Sequence, residues 1–183
     1  MTLLVEGCDN VGKGTQIEFI KNYVENKYNC PVHYMHYSNI KGKSSSDDIR
    51  KISEELYKQM FDIVGKDYGN CLIICDRSHL GEAVYSPIYR NYSGDYVFDI
   101  EKEAIKNTKV GLLVFTESVE NLIKRDDGLS FSIDPDKKKD EIDRFKVAFD
   151  KSSLFKKHIE LNNRGKDEIF EQEVRPFIDE LFN

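Results

Sequence analysis

Apolar residues along the chain fall into two alternating rhythms. Short unbroken runs occur at TLLVE (2–6), VHYMHY (32–37), CLIIC (71–75), VGLLVF (110–115) and HIELN (158–162). Their length and continuity predict strands buried on both faces. Between them, apolar residues recur at helical spacing. Ile17, Phe19, Ile20, Tyr23 and Val24 mark the inner side of a helix that starts near Gly12 and stops before Pro31. Ile49, Ile52, Leu56, Met60 and Ile63 do the same for a helix that begins at Asp47. HLGEAVY (79–85) is helix-like, and a break at Pro87 leads into a tyrosine-rich loop. IEKEAIKN (100–107), VENLIKR (119–125), DEIDRFKVAFDKS (140–152) and KDEIFEQEVRPFIDELF (166–182) complete the helices. DDGLSFSIDPDKKK (126–139) is a polar loop of lid-like length. Strands alternating with helices predict an α/β fold, a five-stranded parallel sheet covered on both faces. No repeat or low-complexity linker interrupts it, so residues 1–183 are expected to form one domain.

Composition narrows this picture without changing it. The chain is 39% hydrophobic and 33% charged, which suits a soluble globular protein. A net charge of −6 argues against a surface built to coat nucleic acid. No apolar run approaches the ~20 residues of a membrane span. The four cysteines have no paired zinc spacing, and Cys71 and Cys75 in their apolar run are expected to be buried free thiols. A reducing, cytoplasmic setting is the expectation.

The chemistry is concentrated in EGCDNVGKGTQ (6–16), directly after the first strand and at the start of the first helix. Gly7 and Gly12 let the backbone curl so that its N–H groups point at phosphate oxygens. The helix amino terminus favours negative charge, and Lys13 is in reach of the outer phosphates as an exposed loop lysine. Two residues are unusual for such a loop. Gly14 stands where a serine or threonine often binds magnesium, and Asp9 puts an acid beside a polyanion. Asp9 is either a turn former or a carboxylate that faces away from ATP to accept from a sugar hydroxyl. At the end of the third strand, Asp76 suits a magnesium-bound water and Arg77 a bidentate phosphate contact.

EGCDNVGKGTQ resembles the phosphate loop of thymidylate kinases, EG-x-D-x-x-GK-x-TQ, and its GKGTQ ending is shared with adenylate kinase-like enzymes. DRSHLGEAVY (76–85) is similar to the family's second motif, D-R-Y/F-x-x-S-x-x-A-Y, keeping Asp76, Arg77 and Tyr85. The resemblance implies a P-loop nucleoside monophosphate kinase with a lid at about 126–140 and with ATP and Mg²⁺ as cofactors. The ATP-binding segment would be Gly7, Asn10, Val11, Gly12, Lys13, Gly14 and Thr15, with Thr15 supplying the hydroxyl and, with Asp76, serving the metal. Asp9 would bind the acceptor's 3′-hydroxyl, Arg77 its phosphate, and Tyr85 would crowd a ribose 2′-hydroxyl. The acceptor would be a pyrimidine deoxynucleoside 5′-monophosphate, with dTMP first.

Several positions depart from the pattern. Ser78, Gly81 and Ser86 replace an aromatic, a serine and a glutamine. No arginine follows the second strand; Lys41 or Arg50 is left for that role, and Phe61 or Tyr57 for the ring that stacks on the base. The lid has only Lys137, Lys138 and Lys139, a run that otherwise reads as a solvated face. The transition-state cation therefore lies among these lysines, Arg125 and Arg144. The loop at Asn162–Gly165, with Arg164, falls where the family cradles adenine. His79 and Glu82 have no counterpart in the pattern and read as helix-surface residues, with substrate contact as the alternative. The expected partners are small-molecule nucleotides, with neither nucleic acid nor membrane; family members are commonly homodimers. Three rivals stay open: a deoxynucleoside kinase using Glu6 or Glu82 as base, a 5′-hydroxyl kinase acting on DNA or a modified base, and a non-catalytic nucleotide-binding regulator.

Overall fold

The computed structural model describes residues 1–37, 46–105 and 109–183. Its five strands form a parallel sheet in the order β2-β3-β1-β4-β5, flanked by helices on both faces. They are β1 (Thr2–Gly7), β2 (Val32–His36), β3 (Leu72–Asp76), β4 (Val110–Thr116) and β5 (Phe155–Glu160). The three inner strands β1, β3 and β4 are buried along their whole length, which is why each is an unbroken apolar run. The edge strands are different. β2 is half exposed, and β5 begins three residues before the predicted HIELN run because it includes Phe155, Lys156 and Lys157. An edge strand has one neighbour and tolerates charge, so its start does not register as apolar.

The helices are α1 (Lys13–Tyr28), α2 (Ser46–Val64), α3 (His79–Tyr89), α4 (Val97–Ala104), α5 (Val119–Lys124) and α6 (Pro135–Lys151). A closing helical run comprises α7 (Lys166–Ile169), a π-helical turn (Phe170–Val174) and α8 (Arg175–Phe182). Ile17, Ile20 and Val24 of α1, Phe145 of α6 and Ile178 of α8 pack with Leu3, Leu4, Ile74 and Leu112 in one core cluster. Burial of this kind is worth about 1.5–3 kcal/mol for each large side chain.

Four predicted details change. Helix α3 runs through Pro87, because a proline near a carboxyl end removes one N–H bond; Arg90 N–H still donates to Ser86 O at 2.9 Å. On α2 the buried set is Ile49, Ser53, Met60, Phe61 and Val64, while Ile52 and Leu56 are exposed. One side of this helix packs on α4 and the side bearing Ser53, Leu56 and Tyr57 borders a cleft, so apolar spacing alone misassigned its inner face. Helix α6 starts at Pro135, so the lysine run is helical and the loop before it ends at Asp134. There Asp134 accepts from the N–H groups of Asp136 and Lys137 at 2.9 and 3.1 Å, with Pro135 in the first helical position. Cys75 is buried as expected, but Cys71 only partly so.

The pairing of β1 with β3 prepares the site. Val5 lies opposite Asp76, and Arg77 N–H donates to Val5 O at 2.9 Å. The ends of two motifs 70 residues apart in sequence are thereby brought together.

Candidate functional site

After β1 the chain turns at Gly7, whose φ of +138° lies in the region that favours glycine. The loop continues through Asn10 (φ 63°) to Gly12 (φ 95°), the left-handed cap of α1. No side chain caps the first turn of this 16-residue helix, and that turn carries no acid. Its amino end is therefore open to an anion. Val11 is buried beneath the loop, while Gly14 and Thr15 are exposed on that first turn. A Cβ at Gly14 would meet nothing within 4 Å, so the absence of a side chain there is not a steric demand of the fold.

Lys13 is not the exposed lysine expected. It is 8% exposed, and its Nζ donates to Gly7 O and Cys8 O, both at 2.8 Å, so it braces the loop from inside. Burial lowers its pKa, as does the charge of Arg77, while Asp9 and Glu6 oppose the shift.

Asp9 and Arg77 form a salt bridge, Arg77 Nη2 donating to Asp9 Oδ1 at 2.8 Å. Arg77 holds a left-handed backbone (φ 70°), a strained conformation for a long side chain. Burial lowers its pKa, but Asp9 first, then Tyr85, Glu6 and Asp76, outweigh this and keep it above the ordinary value. Tyr85 is buried, its hydroxyl has no partner among the described residues, and burial together with Asp9 keeps it protonated. Asp76 is almost buried. Its Oδ2 accepts from Tyr34 at 2.8 Å and lies 3.1 Å from His36 Nδ1, while its buried Oδ1 has no partner among the described residues.

A cleft opens beside the loop, lined by Glu6, Gly7, Arg77 and Ser78 together with Tyr57, Glu82, Tyr85 and Arg90. Glu6 Oε1 accepts from Ser78 N–H (2.6 Å), Ser78 Oγ (3.1 Å) and Gly81 N–H (3.0 Å). Burial raises its pKa against these bonds and the charge of Lys13. Phe61 is not the stacking ring. It sits one turn further along α2, 1% exposed, edge-on to His79 at 5.0 Å, whereas Tyr57 lines the cleft. Arg50 also lies outside that lining, on an exposed turn with its guanidinium 5.6 Å from the Tyr96 ring. Lys41 falls outside the described residues. His79 and Glu82 are fully buried, contrary to their expected surface position. His79 pairs with Glu101 at 2.7 Å beneath α3, and Glu82 faces the cleft.

The predicted lid packs over the phosphate loop. Asn10 Nδ2 donates to Asp126 Oδ1 (3.2 Å) and Ser130 Oγ (3.1 Å). Phe131 stacks on Tyr89 at 4.9 Å and leans on Tyr85 at 5.3 Å. The expected cations separate here. Arg144 chelates Asp140 and lines a groove with Ala83 and Pro87 that shares no residue with the cleft. It is not among the residues that line the cleft. Arg125 is exposed beside Glu117 at 3.5 Å. Arg164 is held by Glu173 (3.1 Å) and Glu160 O (2.8 Å), in a loop that Gln16 ties to α1 through Lys166 O (2.9 Å).

Lys138 is the residue that sequence reasoning misplaced. It is 1% exposed, its Nζ donates to Glu141 Oε2 at 3.0 Å, and Glu141 Oε1 accepts from Tyr89 at 2.6 Å. Burial raises the Cys8 thiol to about 12, and the charges of Glu141, Lys13 and Lys138 also act on it, so this pair is within electrostatic reach of the phosphate loop. The Asp-Pro dipeptide at 134–135 was the available signal: a helix starting there puts Lys138 and Glu141 one turn apart on one face.

Neither the family models nor the curated protein sequences contain a match to this chain. Solved structures do match. Thymidylate kinase from Candida albicans superposes with a TM-score of 0.67 at 13% identity, over 100% of this chain and 93% of its own. Thymidylate kinase from Ehrlichia chaffeensis gives 0.67 at 14%, over 98% of each chain. The YorR protein of Bacillus subtilis, solved in complex with phosphorylated GDP, gives 0.59 at 16%, over 100% of this chain and 99% of its own. The chain therefore shares the fold of these thymidylate kinases, here a five-stranded parallel sheet flanked by helices.

Proposed function

We propose that the protein is a deoxynucleoside monophosphate kinase that transfers the γ-phosphoryl group of ATP to a nucleotide 5′-phosphate, with dTMP the first acceptor to test. The observation that carries this reading is the Arg77–Asp9 pair, set between the phosphate loop and the cleft. A guanidinium there offers an acceptor phosphate a paired donor across from Lys13. The acceptor is already an anion, so no general base is required, and catalysis becomes positioning plus charge neutralisation. Lys13 and the open end of α1 would hold the donor phosphates, and Arg164 would lie near the adenine. A magnesium ion would neutralise charge between the phosphates. Asp76 fits it, having one buried oxygen without a partner. Among the described residues no cluster of three His, Cys, Asp or Glu side chains is arranged to hold a metal, so phosphates and water would supply the other ligands. Among the described residues no helix is long and apolar enough to cross a membrane.

A nucleoside kinase would need a free carboxylate as base. Glu6 has one oxygen accepting three hydrogen bonds, and Glu82 is held by Arg90 and two tyrosines. This favours the monophosphate reading.

Asp9 supplies the direct test. Its carboxylate anchors Arg77, so Asp9→Ala should lower kcat/KM for every acceptor. If it also accepts from the 3′-hydroxyl, wild type should prefer dTMP over 3′-deoxy-dTMP by roughly ten- to a hundredfold, the worth of one charged hydrogen bond. That ratio should then fall toward one in the variant. An unchanged ratio would leave Asp9 as Arg77's anchor and no more.

Lys138 is proposed as the lid cation for the transition state. The double variant Lys138→Gln/Glu141→Gln keeps a neutral pair in the buried site and avoids stranding one charge. It should lower kcat about ten- to a hundredfold with acceptor KM within about twofold. Unaltered kcat, with only the melting temperature moved, would make the pair purely structural.

A further inference from the structure

Arg77 keeps its left-handed backbone because the peptide groups on both sides of it are pinned. In the peptide before it, Asp76 O accepts from Tyr37 N–H at 3.0 Å and Arg77 N–H donates to Val5 O at 2.9 Å. The peptide after it is held by Glu6, whose Oε1 accepts from Ser78 N–H at 2.6 Å. With both peptide planes fixed, Arg77 has no freedom to relax from its φ of 70°. The same Glu6 oxygen accepts from Ser78 Oγ at 3.1 Å and from Gly81 N–H at 3.0 Å. It thereby supplies the side-chain cap that Ser78 itself does not give α3. The other oxygen, Oε2, accepts from Gly7 N–H at 3.4 Å, and Lys13 holds the carbonyl of that same Gly7 at 2.8 Å. Glu6 is 1% exposed, so one buried carboxylate ties the start of the phosphate loop to the turn that carries Arg77. The phosphoryl transfer proposed above needs no base, which leaves this carboxylate without a chemical task.

We infer that Glu6 is a positioning residue that acts through Arg77. It holds the guanidinium at a fixed offset from the phosphate loop, so that an acceptor phosphate on Arg77 lies in line with a donor phosphate on Lys13. It acts by reach and not by charge, because what Arg77 needs is an acceptor oxygen standing 2.6 Å from Ser78 N–H. Without that oxygen the peptide after Arg77 turns, φ relaxes to a negative value, and the guanidinium leaves Asp9. The inference rests on the nucleotide kinase reading above, in that it takes Arg77 as the contact to the acceptor phosphate.

Glu6→Gln and Glu6→Asp separate reach from charge. Gln puts a carbonyl oxygen in the place of Oε1 and drops the charge, whereas Asp keeps the charge and draws the oxygen back by about 1.5 Å. Glu6→Gln should keep kcat/KM for dTMP within about fivefold of wild type, and Glu6→Asp should lose at least about tenfold. Calorimetric affinity for a nonhydrolysable ATP analogue with Mg²⁺ should stay within about threefold in both. In an Arg77→Ala background, Glu6→Asp should cost no more than about a further twofold, because the residue it acts through is gone. An inactive Gln variant beside an active Asp variant would make Glu6 a charge or a base. A full loss that persists without Arg77 would make it purely structural. Either result overturns the inference. Amide exchange of wild type needs no variant to fold: Ser78 and Gly81 N–H should be protected like the amides of β1, and exchange at the rate of free peptide would overturn it. Calorimetry with dTMP separates this inference from the kinase reading. Binding that Glu6→Asp weakens about tenfold and Glu6→Gln spares, with no ADP release by wild type, would sink the kinase reading and keep the positioning role. Equal dTMP affinity in all three proteins, or none, would remove the positioning role whatever the turnover.

Discussion

Lys13→Ala should lower kcat at least about a hundredfold, corresponding to roughly 3 kcal/mol or more of lost charge stabilisation in the transition state. The structure adds a second consequence. Lys13 Nζ is the donor to Gly7 O and Cys8 O and is nearly buried, so its removal leaves two loop carbonyls without that partner. The melting temperature should fall too, because a buried acceptor without a donor costs about 1–3 kcal/mol unless water reaches it. Lys13→Met keeps the stem in place but not the donor, so it recovers only the packing of the stem and leaves both carbonyls unpaired. It should be as inactive as the alanine variant but closer to wild type in stability. A folded Lys13→Met enzyme with wild-type turnover would remove the phosphate-loop assignment.

Gly7→Ala should cost about 3 kcal/mol or more of stability and lower the melting temperature by roughly 6–12 °C. A Cβ built at Gly7 falls 2.1 Å from Phe115 O, which is backbone of the neighbouring strand and cannot rotate away. The φ of +138° adds strain that an L side chain rarely tolerates. Gly14→Ala is the internal control. The added methyl meets nothing within 4 Å and lies in the first turn of α1, so it should be neutral or slightly stabilising. Denaturant melts of the two variants compare them directly. Gly7→Ala within about 0.5 kcal/mol of wild type would show that the loop has another way out of β1.

Much of the site was legible because its residues belong to contiguous motifs at strand ends. Gly7 to Lys13 follow β1, and Asp76 and Arg77 follow β3, so pairing the two strands assembles them. The misplacements have a different cause. Phe61 and Tyr57 are one helical turn apart, and whether either meets the cleft depends on how α2 rotates against α4. Lys138 looked solvated because lysine usually is, yet Glu141, one turn on, lets it be buried as a pair. Arg144 matched a pattern in sequence but lines a groove with Ala83 and Pro87 and not the cleft. Glu82 read as a helix-surface residue, whereas it is buried because Arg90 and two tyrosines of the following loop satisfy its carboxylate, a network that no local pattern shows.

The sequence by itself determined the element order, the all-parallel sheet and the phosphate loop, because strand continuity, helical periodicity and glycine placement are local properties of the chain. Tertiary structure alone decided which lysines are buried beside carboxylates and backbone carbonyls, and which ring borders the cleft. Those are properties of facing surfaces, set by helix rotation and by the pairing of buried charges, and the energies that fix them come from contacts between residues far apart in the sequence.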